Sequence, residues 1–239
     1  MVNARRAEAM PDRIRAISIG TYFLLHVVIS FSGMAYLKNM LNRIIRWIRF
    51  LRRPSGAANL RRLRENGESR DLFMIREASV SDLPALAALH VETWNETYGG
   101  RYKPSLQLRT NQWQEQFAAG TDDWFCYVVE NENGALIGFA KGERYASKDL
   151  PGYSGQLSKI YLLRRYQRLG LGKKLLCYVA RRFIKMGVND MVLFGIPQNP
   201  SCSFHEAMGG KKLFAKNGEF HGGYGWKDLH ALVRLCPNE

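Results

Sequence analysis

The stretch "YQRLGLGKKLL", residues 166–176, carries the clearest structural signal in the chain. Gly170 and Gly172 stand between a strand-like segment and an apolar, helix-like segment, so they form a turn that opens a helix. The first amides of a helix have no partner within it, and the helix dipole adds positive potential in front of them. Lys173 and Lys174 add further charge. The pattern therefore predicts a turn that binds phosphate.

The composition of this turn narrows the kind of phosphate ligand. It lacks the third glycine of a dinucleotide-binding fingerprint, and it lacks the Gly-Lys-Ser/Thr ending with which a nucleotide P-loop holds magnesium. A pyrophosphate group bound without a metal ion is the ligand that remains. Taken alone, a Gln-x-x-Gly-x-Gly hexamer is a weak signal, and an ordinary tight turn before a helix is the alternative.

Strand-like and helix-like segments alternate from residue 74 onward. The 239 residues and 46% hydrophobic content suit one domain of about 150–200 residues with an appendage. We expect strands at 73–78, on both sides of a turn at 131–134, at 154–163 and at 190–196, followed by a closing pair within 210–229. We expect helices at 79–98, 106–120, 172–187 and 201–208.

Two motifs in this order resemble the GNAT superfamily of N-acetyltransferases. "IYLLRRYQRLGLGKKLL" is similar to the acetyl-CoA loop of that family, [QR]-x-x-G-x-[GA] after the fourth strand. "NPSCSFHEAMGGKKL" is similar to a second family segment and matches it at Asn199, Pro200, Phe204, Glu206 and Gly209. The resemblance covers residues 74–235. It implies an α/β (α+β) fold with a mixed, mostly antiparallel sheet of six to seven strands, splayed strands 4 and 5 and flanking helices.

The resemblance also implies a site for acetyl-CoA as co-substrate, without a metal ion. The backbone of Ile160, Tyr161 and Leu162 would bind the pantetheine arm as a neighbouring strand does, although these residues fit a plain sheet core as well. The Asn199 side chain would contact the arm farther along, or else cap a helix. The residues expected around the pyrophosphate are Gln167, Arg168, Leu169, Gly170, Leu171, Gly172 and Lys173.

The acid of the reaction is uncertain because His205 stands where the family carries a tyrosine. An imidazole is a candidate proton donor or acceptor near neutral pH. The alternative is that His205 only lines the cofactor arm and that the thiolate leaves without an acid. Gln156 stands where close relatives carry a glutamate in the fourth strand, and an amide can orient an amine or water but cannot act as a base.

A replacement base is therefore sought among other carboxylates. Glu143, near the end of the third strand, is the first candidate, and Glu92 and Glu96 from the first helix are others. Each of them is also compatible with an ordinary solvated surface position. Three aromatic residues from "TWNETYGGRY" are expected to wall the acceptor site: Trp94, Tyr98 and Tyr102.

The amino-terminal region, residues 1–73, differs in character from the domain expected at 74–235. It carries 14 Lys and Arg against 5 Asp and Glu. Residues 17–37 are an apolar stretch of about membrane-spanning length, and residues 37–53 predict a basic amphipathic helix. We weigh contact with a membrane through residues 17–53 against packing on the domain and against a dispensable extension with a start at Met74. Residues 54–72 are interpreted as a polar linker.

The four cysteines, Cys126, Cys177, Cys202 and Cys236, show no metal-ligand spacing and are expected to be free thiols. We expect a cytoplasmic N-acetyltransferase in which a primary amine attacks acetyl-CoA directly, with no nucleic acid as partner. The amine is a small molecule, a peptide terminus or a lysine, and a homodimer is left open. The alternatives are a non-catalytic acyl-CoA-binding module and a membrane-tethered regulatory protein.

Overall fold

The computed structural model describes residues 40–41, 55–69, 72–99, 103–147, 150–197, 199 and 201–237. Residues 54–239 form one compact unit around a seven-stranded sheet with the order β1-β2-β3-β4-β5-β7-β6. Residues 1–53 form another unit, of which Met40 and Leu41 are described, and both are helical. The apolar stretch at 17–37 and most of the predicted basic helix lie outside the described residues.

The strands lie close to the expected positions, and β1 begins at Met74, as expected. Every neighbouring pair is antiparallel except β4 and β5, so the sheet is mixed and mostly antiparallel, as the sequence predicts. The bounds are β1 Met74–Glu77, β2 Trp124–Glu130, β3 Leu136–Arg144, β4 Gly155–Leu162, β5 Met191–Phe194, β6 Lys211–Phe214 and β7 Phe220–Trp226.

Six helices are described in the unit that holds the sheet. Serine and aspartate side chains begin several of them: Ser105 Oγ accepts the amide of Leu108, and Asp228 Oδ1 accepts the amide of Ala231. Among the described helices, none is long and apolar enough to cross a lipid bilayer. The bounds are α1 Gly56–Glu65, α2 Leu83–Tyr98, α3 Leu106–Ala118, α4 Leu171–Lys185, α5 Cys202–Ala207 and α6 Leu229–Arg234.

The two faces of the sheet are covered by different helices. Residues directly opposite each other on neighbouring strands project to the same face. Phe139 of β3 is 5.3 Å, centroid to centroid, from His90 of α2 and 5.7 Å from Trp113 of α3, so these helices cover the face of Phe139. Phe125, on the other face, is 5.0 Å from Phe183 of α4. We call the first the α2–α3 face.

The parallel pair β4 and β5 separates after a very short contact. Only Gly155 and Gln156 of β4 have partners in β5, Met191 and Val192, although β4 continues to Leu162. The pairing of β4 with β3 also shifts here, because Ser158 is an extra residue between the partners of Gly142 and Lys141. The splay expected between the fourth and fifth strands is therefore confirmed.

The interpretation of residues 54–72 as a linker is wrong over helix α1. Ser55 caps this helix, accepting the amide of Ala58 at 3.1 Å, and Leu63 belongs to the hydrophobic core. Asn59 is fully buried. The segment is rich in polar residues, but its two inward positions, four residues apart, share one helix face. Two buried residues in a charged ten-residue helix give too weak an apolar pattern to be recognised in the sequence.

Two of the four cysteines, expected to be free, are joined in a disulfide between Cys177 of α4 and Cys236. Cys126 and Cys202 are free thiols, as expected. The bonded pair is separated by 59 positions in the sequence, and its Cα atoms are 6.0 Å apart because α6 packs beside α4. No local cysteine motif reports such a pair, so composition alone could not predict it.

We predict that Cys236→Ser lowers the free energy of unfolding by about 2–4 kcal/mol, because the crosslink restricts the unfolded chain. Chemical denaturation of the oxidised wild type and the variant measures this change. As a control, Cys202→Ser, which breaks no disulfide, should have a smaller effect than Cys236→Ser. A count of four accessible thiols in denatured, unreduced wild-type protein would contradict the pairing.

Candidate active site

The glycine turn joins β4 to α4 in a conformation that leaves several amides free. Arg168 has φ 64° and Gly170 has φ 86°, so the backbone enters the left-handed region twice before α4 begins at Leu171. The amides of residues 168–173 donate to no acceptor within the described part of the chain, whereas Lys174 donates to Gly170 in the normal helical manner. Six amides at a helix N-terminus can bind an anion.

The side chain of Gln167 is engaged within the chain, because its Nε2 donates to the carbonyl oxygen of Leu162 at 2.9 Å. This bond fastens the turn to the end of β4. Contact of Gln167 with a pyrophosphate remains a prediction. A methyl group added to Gly172 would lie 3.6 Å from Leu162 and 3.7 Å from Phe204, so α4, β4 and α5 meet at this point.

Alternate residues of β4 direct their backbone groups away from β3, toward the gap between β4 and β5. The amide of Leu163 donates to Ile137 directly opposite it, at 3.0 Å. Because hydrogen-bonded pairs alternate along antiparallel strands, Tyr161 directs its backbone toward β3, whereas Ile160 and Leu162 direct theirs toward the gap beside β5. The expectation that all three residues present backbone groups to an extended ligand is therefore wrong for Tyr161.

Asn199 follows β5 and starts the turn into α5. Its Oδ1 accepts the amide of Ser201 at 3.0 Å, and its carbonyl accepts the amide of Cys202, also at 3.0 Å. This is an Asx turn that precedes α5, whose N-cap is Ser201, so the expected helix cap is not formed by Asn199. The side-chain oxygen is thus engaged within the turn, and contact between its amide nitrogen and a ligand remains a prediction.

The candidate base and the glutamine that replaces the family's glutamate are brought together. Glu143 of β3 and Gln156 of β4 are directly opposite and lie on the α2–α3 face. Gln156 also belongs to the last pair before β4 and β5 separate. Glu143 forms an ion pair with Lys141, whose ammonium group also donates to Gln116 at 2.6 Å.

The aromatic residues expected around the acceptor lie at the same face, near the end of β4. The rings of Trp94 and Tyr98 are 4.4 Å apart, and Tyr161 lies 5.5 Å, centroid to centroid, from Phe139 on the same face. Burial raises the pKa of Tyr161 well above its usual range, so this phenol stays protonated. Tyr102 lies outside the described residues.

The two other carboxylates considered as bases have structural partners. Glu96 accepts the amide of Arg164 at 2.6 Å, and Glu92 lies 3.6 Å from the guanidinium of Arg165. Both therefore contact the turn that follows β4 rather than the pair formed by Glu143 and Gln156. This leaves Glu143 as the candidate base on the α2–α3 face.

Cationic side chains that the sequence analysis missed also lie on this face. Lys159 is opposite Lys141, and burial, followed by repulsion from Lys141, lowers the pKa of Lys159. Arg109 of α3 is buried and lies 4.9 Å above the ring of Trp94. Lys141 directly follows the apolar residues 136–140 of β3, so the sequence did contain a signal for a charged group within the sheet. Arg109 falls four positions before the buried Trp113, which indicates the inward face of α3.

His205, the candidate acid, is enclosed by aromatic rings and only 3% exposed. Its ring lies 5.4 Å from that of Tyr224 and 6.2 Å from that of Trp226. Burial lowers the pKa of His205 to about 4, so the imidazole is neutral at physiological pH. This argues against an imidazolium acid. No group of three or more His, Cys, Asp or Glu side chains suited to a metal ion occurs in the described ranges.

The chain belongs to the acetyltransferase (GNAT) family, whose model matches residues 84–209. An uncharacterised N-acetyltransferase, YuaI of Bacillus subtilis (strain 168), is 33% identical over 176 residues, which cover 69% of this chain and 98% of YuaI. A phosphinothricin N-acetyltransferase of Streptomyces viridochromogenes is 26% identical over 158 residues, covering 65% of this chain and 83% of that protein.

The fold is the GNAT fold, as solved structures also indicate. PaiA N-acetyltransferase of Thermoplasma acidophilum, in a crystal structure with coenzyme A, superimposes with a TM-score of 0.51 and 23% identity. The match covers 64% of this chain and 97% of that protein. At 23% identity, the likeness to PaiA shows the fold alone. Membership of the family rests on the match to the family model and on the similarity to YuaI.

We predict that His205→Phe weakens the pH dependence of stability below neutral pH. His205 has a pKa of about 4 when folded and about 6.5 when unfolded, so the unfolded chain binds more protons between these values. Stability must then fall as the pH decreases from about 6.5 toward 4. Urea denaturation midpoints at pH 7.5 and pH 5 measure the effect.

The exposed histidine His230 supplies a control for this experiment, because His230→Phe should keep the pH dependence of the wild type. The pKa of buried His90 is lowered to about 3 by burial and then by Arg109. His90 therefore accounts for part of the pH dependence of stability that remains in His205→Phe. An identical loss of stability on acidification in wild type and His205→Phe would show that His205 is not buried as a neutral base.

Proposed function

We propose that this protein is an N-acetyltransferase that transfers the acetyl group of acetyl-CoA to a primary amine by direct attack. The observation that carries the proposal is the combination of a split between β4 and β5 with six free amides at the adjacent helix N-terminus. The split accepts an extended chain, and the amides suit a pyrophosphate group. The bound thioester would supply the activated acyl group.

The residues of β4 would align the donor along the strand. The backbone groups of Ile160 and the amide of Leu162 face the gap, so they can pair with an extended amide-containing arm as β5 would, whereas the carbonyl of Leu162 already accepts the side chain of Gln167. From the turn after Leu162 back to Gln156, the strand covers about 20 Å. The pyrophosphate end and the reacting end would then lie at opposite ends of β4, with one amide of the gap available to the developing oxyanion.

The pair of Glu143 and Gln156 would handle the acceptor. Gln156 orients the amine or a water molecule, and Glu143 takes the proton that the amine loses as its nitrogen forms the new bond to the acyl carbon. The carbon–sulfur bond then breaks, and the thiolate takes a proton from solvent, because neutral His205 is enclosed among rings. Positioning of the two reactants lowers much of the barrier.

The charges of the α2–α3 face favour an amine that also carries an acidic group. Lys141, Lys159 and Arg109 bring three basic groups to this face, and Glu143 forms an ion pair with Lys141. Burial lowers the pKa of Lys159, so an acidic substrate group beside it would stabilise its charged form. Lys141 is engaged with Glu143, so Lys159 is the cation best able to bind a carboxylate or phosphinate. The phosphinothricin N-acetyltransferase relative is named for an acidic amino compound, which agrees with this class.

We predict that Gly170→Ala weakens the binding of coenzyme A by roughly tenfold, because φ 86° is strained for alanine and the turn must shift its amides. Isothermal titration calorimetry measures the affinity, and release of free thiol from acetyl-CoA in the presence of amines measures transfer. The control is Gly187→Ala at the other end of α4, where φ is 74° and nothing lies within 4 Å of the new methyl group.

Both alanine variants should lose similar stability, but Gly187→Ala should bind coenzyme A as the wild type does. Equal binding by both variants would argue against the turn as the pyrophosphate site. Binding of coenzyme A by the wild type without thiol release across a broad amine panel would favour the non-catalytic module instead.

We predict that Lys159→Met lowers kcat/KM roughly tenfold for acidic amino compounds and leaves neutral amines nearly unaffected, since a charged hydrogen bond is lost only with the acidic substrates. Matched substrates are phosphinothricin or glutamate and the corresponding amides. Lys185→Met, at the exposed end of α4, is the control. A wild-type preference for neutral amines, or an equal loss with both kinds, would contradict the assignment.

A further inference from the structure

Helix α1 contacts the turn that carries the free amides. Asn59, which is fully buried, donates from Nδ2 to the carbonyl oxygens of Arg164 and Gln167 at 3.2 and 2.8 Å. These carbonyls belong to the single helical turn that links β4 to the glycine turn. One amide group from outside the family-like segment therefore holds two peptide units just before the free amides.

Other contacts hold the same turn from two sides. A methyl group added to Gly56 would lie 2.7 Å from the carbonyl oxygen of Arg168, so α1 is in close contact with the turn. The hydroxyl of Tyr166 donates to Glu68, just after α1, at 2.8 Å. From the other side, Glu96 of α2 accepts the amide of Arg164. The turn is thus held between α1 and α2.

The bond to Gln167 has a direct consequence for the anion site. The carbonyl of Gln167 and the amide of Arg168 belong to one planar trans peptide unit, so they point in opposite directions. When Asn59 binds the carbonyl, it fixes the direction of the first free amide. Arg168 has φ 64°, a conformation that a non-glycine residue keeps only when its surroundings impose it.

We propose that Asn59 is a positioning residue for the pyrophosphate of the acyl donor and that α1 is an outer support of the donor site. The inference rests on the proposed function, because it assumes that the free amides bind coenzyme A. It assigns a role in donor binding to a helix that precedes the segment matched by the family model. Asn59 acts through the turn and touches no substrate atom.

The test compares ligands with and without the pyrophosphate in the full chain. Asn59→Ala removes both hydrogen bonds and should raise the Kd of coenzyme A roughly tenfold. Pantetheine, which has the arm but no pyrophosphate, should be affected less than twofold. Calorimetry measures the Kd of coenzyme A, and displacement of coenzyme A measures that of pantetheine. Asn66→Ala, an exposed asparagine at the end of the same helix, should leave both values unchanged.

Gly56→Ala provides a second variant if Asn59→Ala folds poorly, because its methyl group presses on Arg168 without removing a buried polar side chain. Gly56→Ala should also weaken the binding of coenzyme A much more than that of pantetheine. An equal loss of affinity for coenzyme A and pantetheine would indicate a general structural role and overturn the proposal. An unchanged Kd of coenzyme A in folded variants would overturn it too. Failure of the wild type to bind coenzyme A would instead refute the proposed function.

Discussion

The parting of β4 and β5 is the constraint on which the rest of the structure depends. Two strands that run parallel, share two residue pairs and then diverge leave the edge of β4 beyond Gln156 without a neighbouring strand. The register of β4 with β3, including the bulge at Ser158, decides which backbone groups face that gap. On the outer sides of the gap, β4 pairs with β3 and β5 pairs with β7, both in antiparallel orientation, so each edge of the gap belongs to a hydrogen-bonded part of the sheet.

The same register separates two kinds of chemistry by position along one strand. The end of β4 meets the glycine turn, where the amides of residues 168–173 have no acceptor within the described part of the chain. The beginning of β4 carries Gln156 opposite Glu143, on the face covered by α2 and α3. The groups that we propose to bind the donor and the group that we propose to accept a proton are therefore set apart by the length of a single strand.

The sequence predicted the strand and helix order and the position of the turn, because hydrophobic periodicity and glycine spacing are local signals, whereas the splay was implied by the resemblance to the GNAT superfamily. The rings of Trp94 and Tyr98 do lie together, and their role around an acceptor stays a prediction. The sequence could not show which backbone groups of residues 160–162 face the gap, since that depends on register with β3. Asn59 and the Cys177–Cys236 pair were missed because their partners lie far away in the sequence. The enclosure of His205 depends on β7 and was likewise invisible.

The disulfide has a topological effect that its two cysteines alone do not reveal. Residues 177–236 contain β5, β6 and β7 together with α5 and α6, so the bond closes one entire half of the sheet into a covalent ring. Its anchor on α4 lies two turns beyond the helix start that faces the gap. The ring also includes most of α4, whose Phe183 packs against Phe125 of β2, so the bond links the half-sheet β5-β7-β6 to the helix that covers the other half.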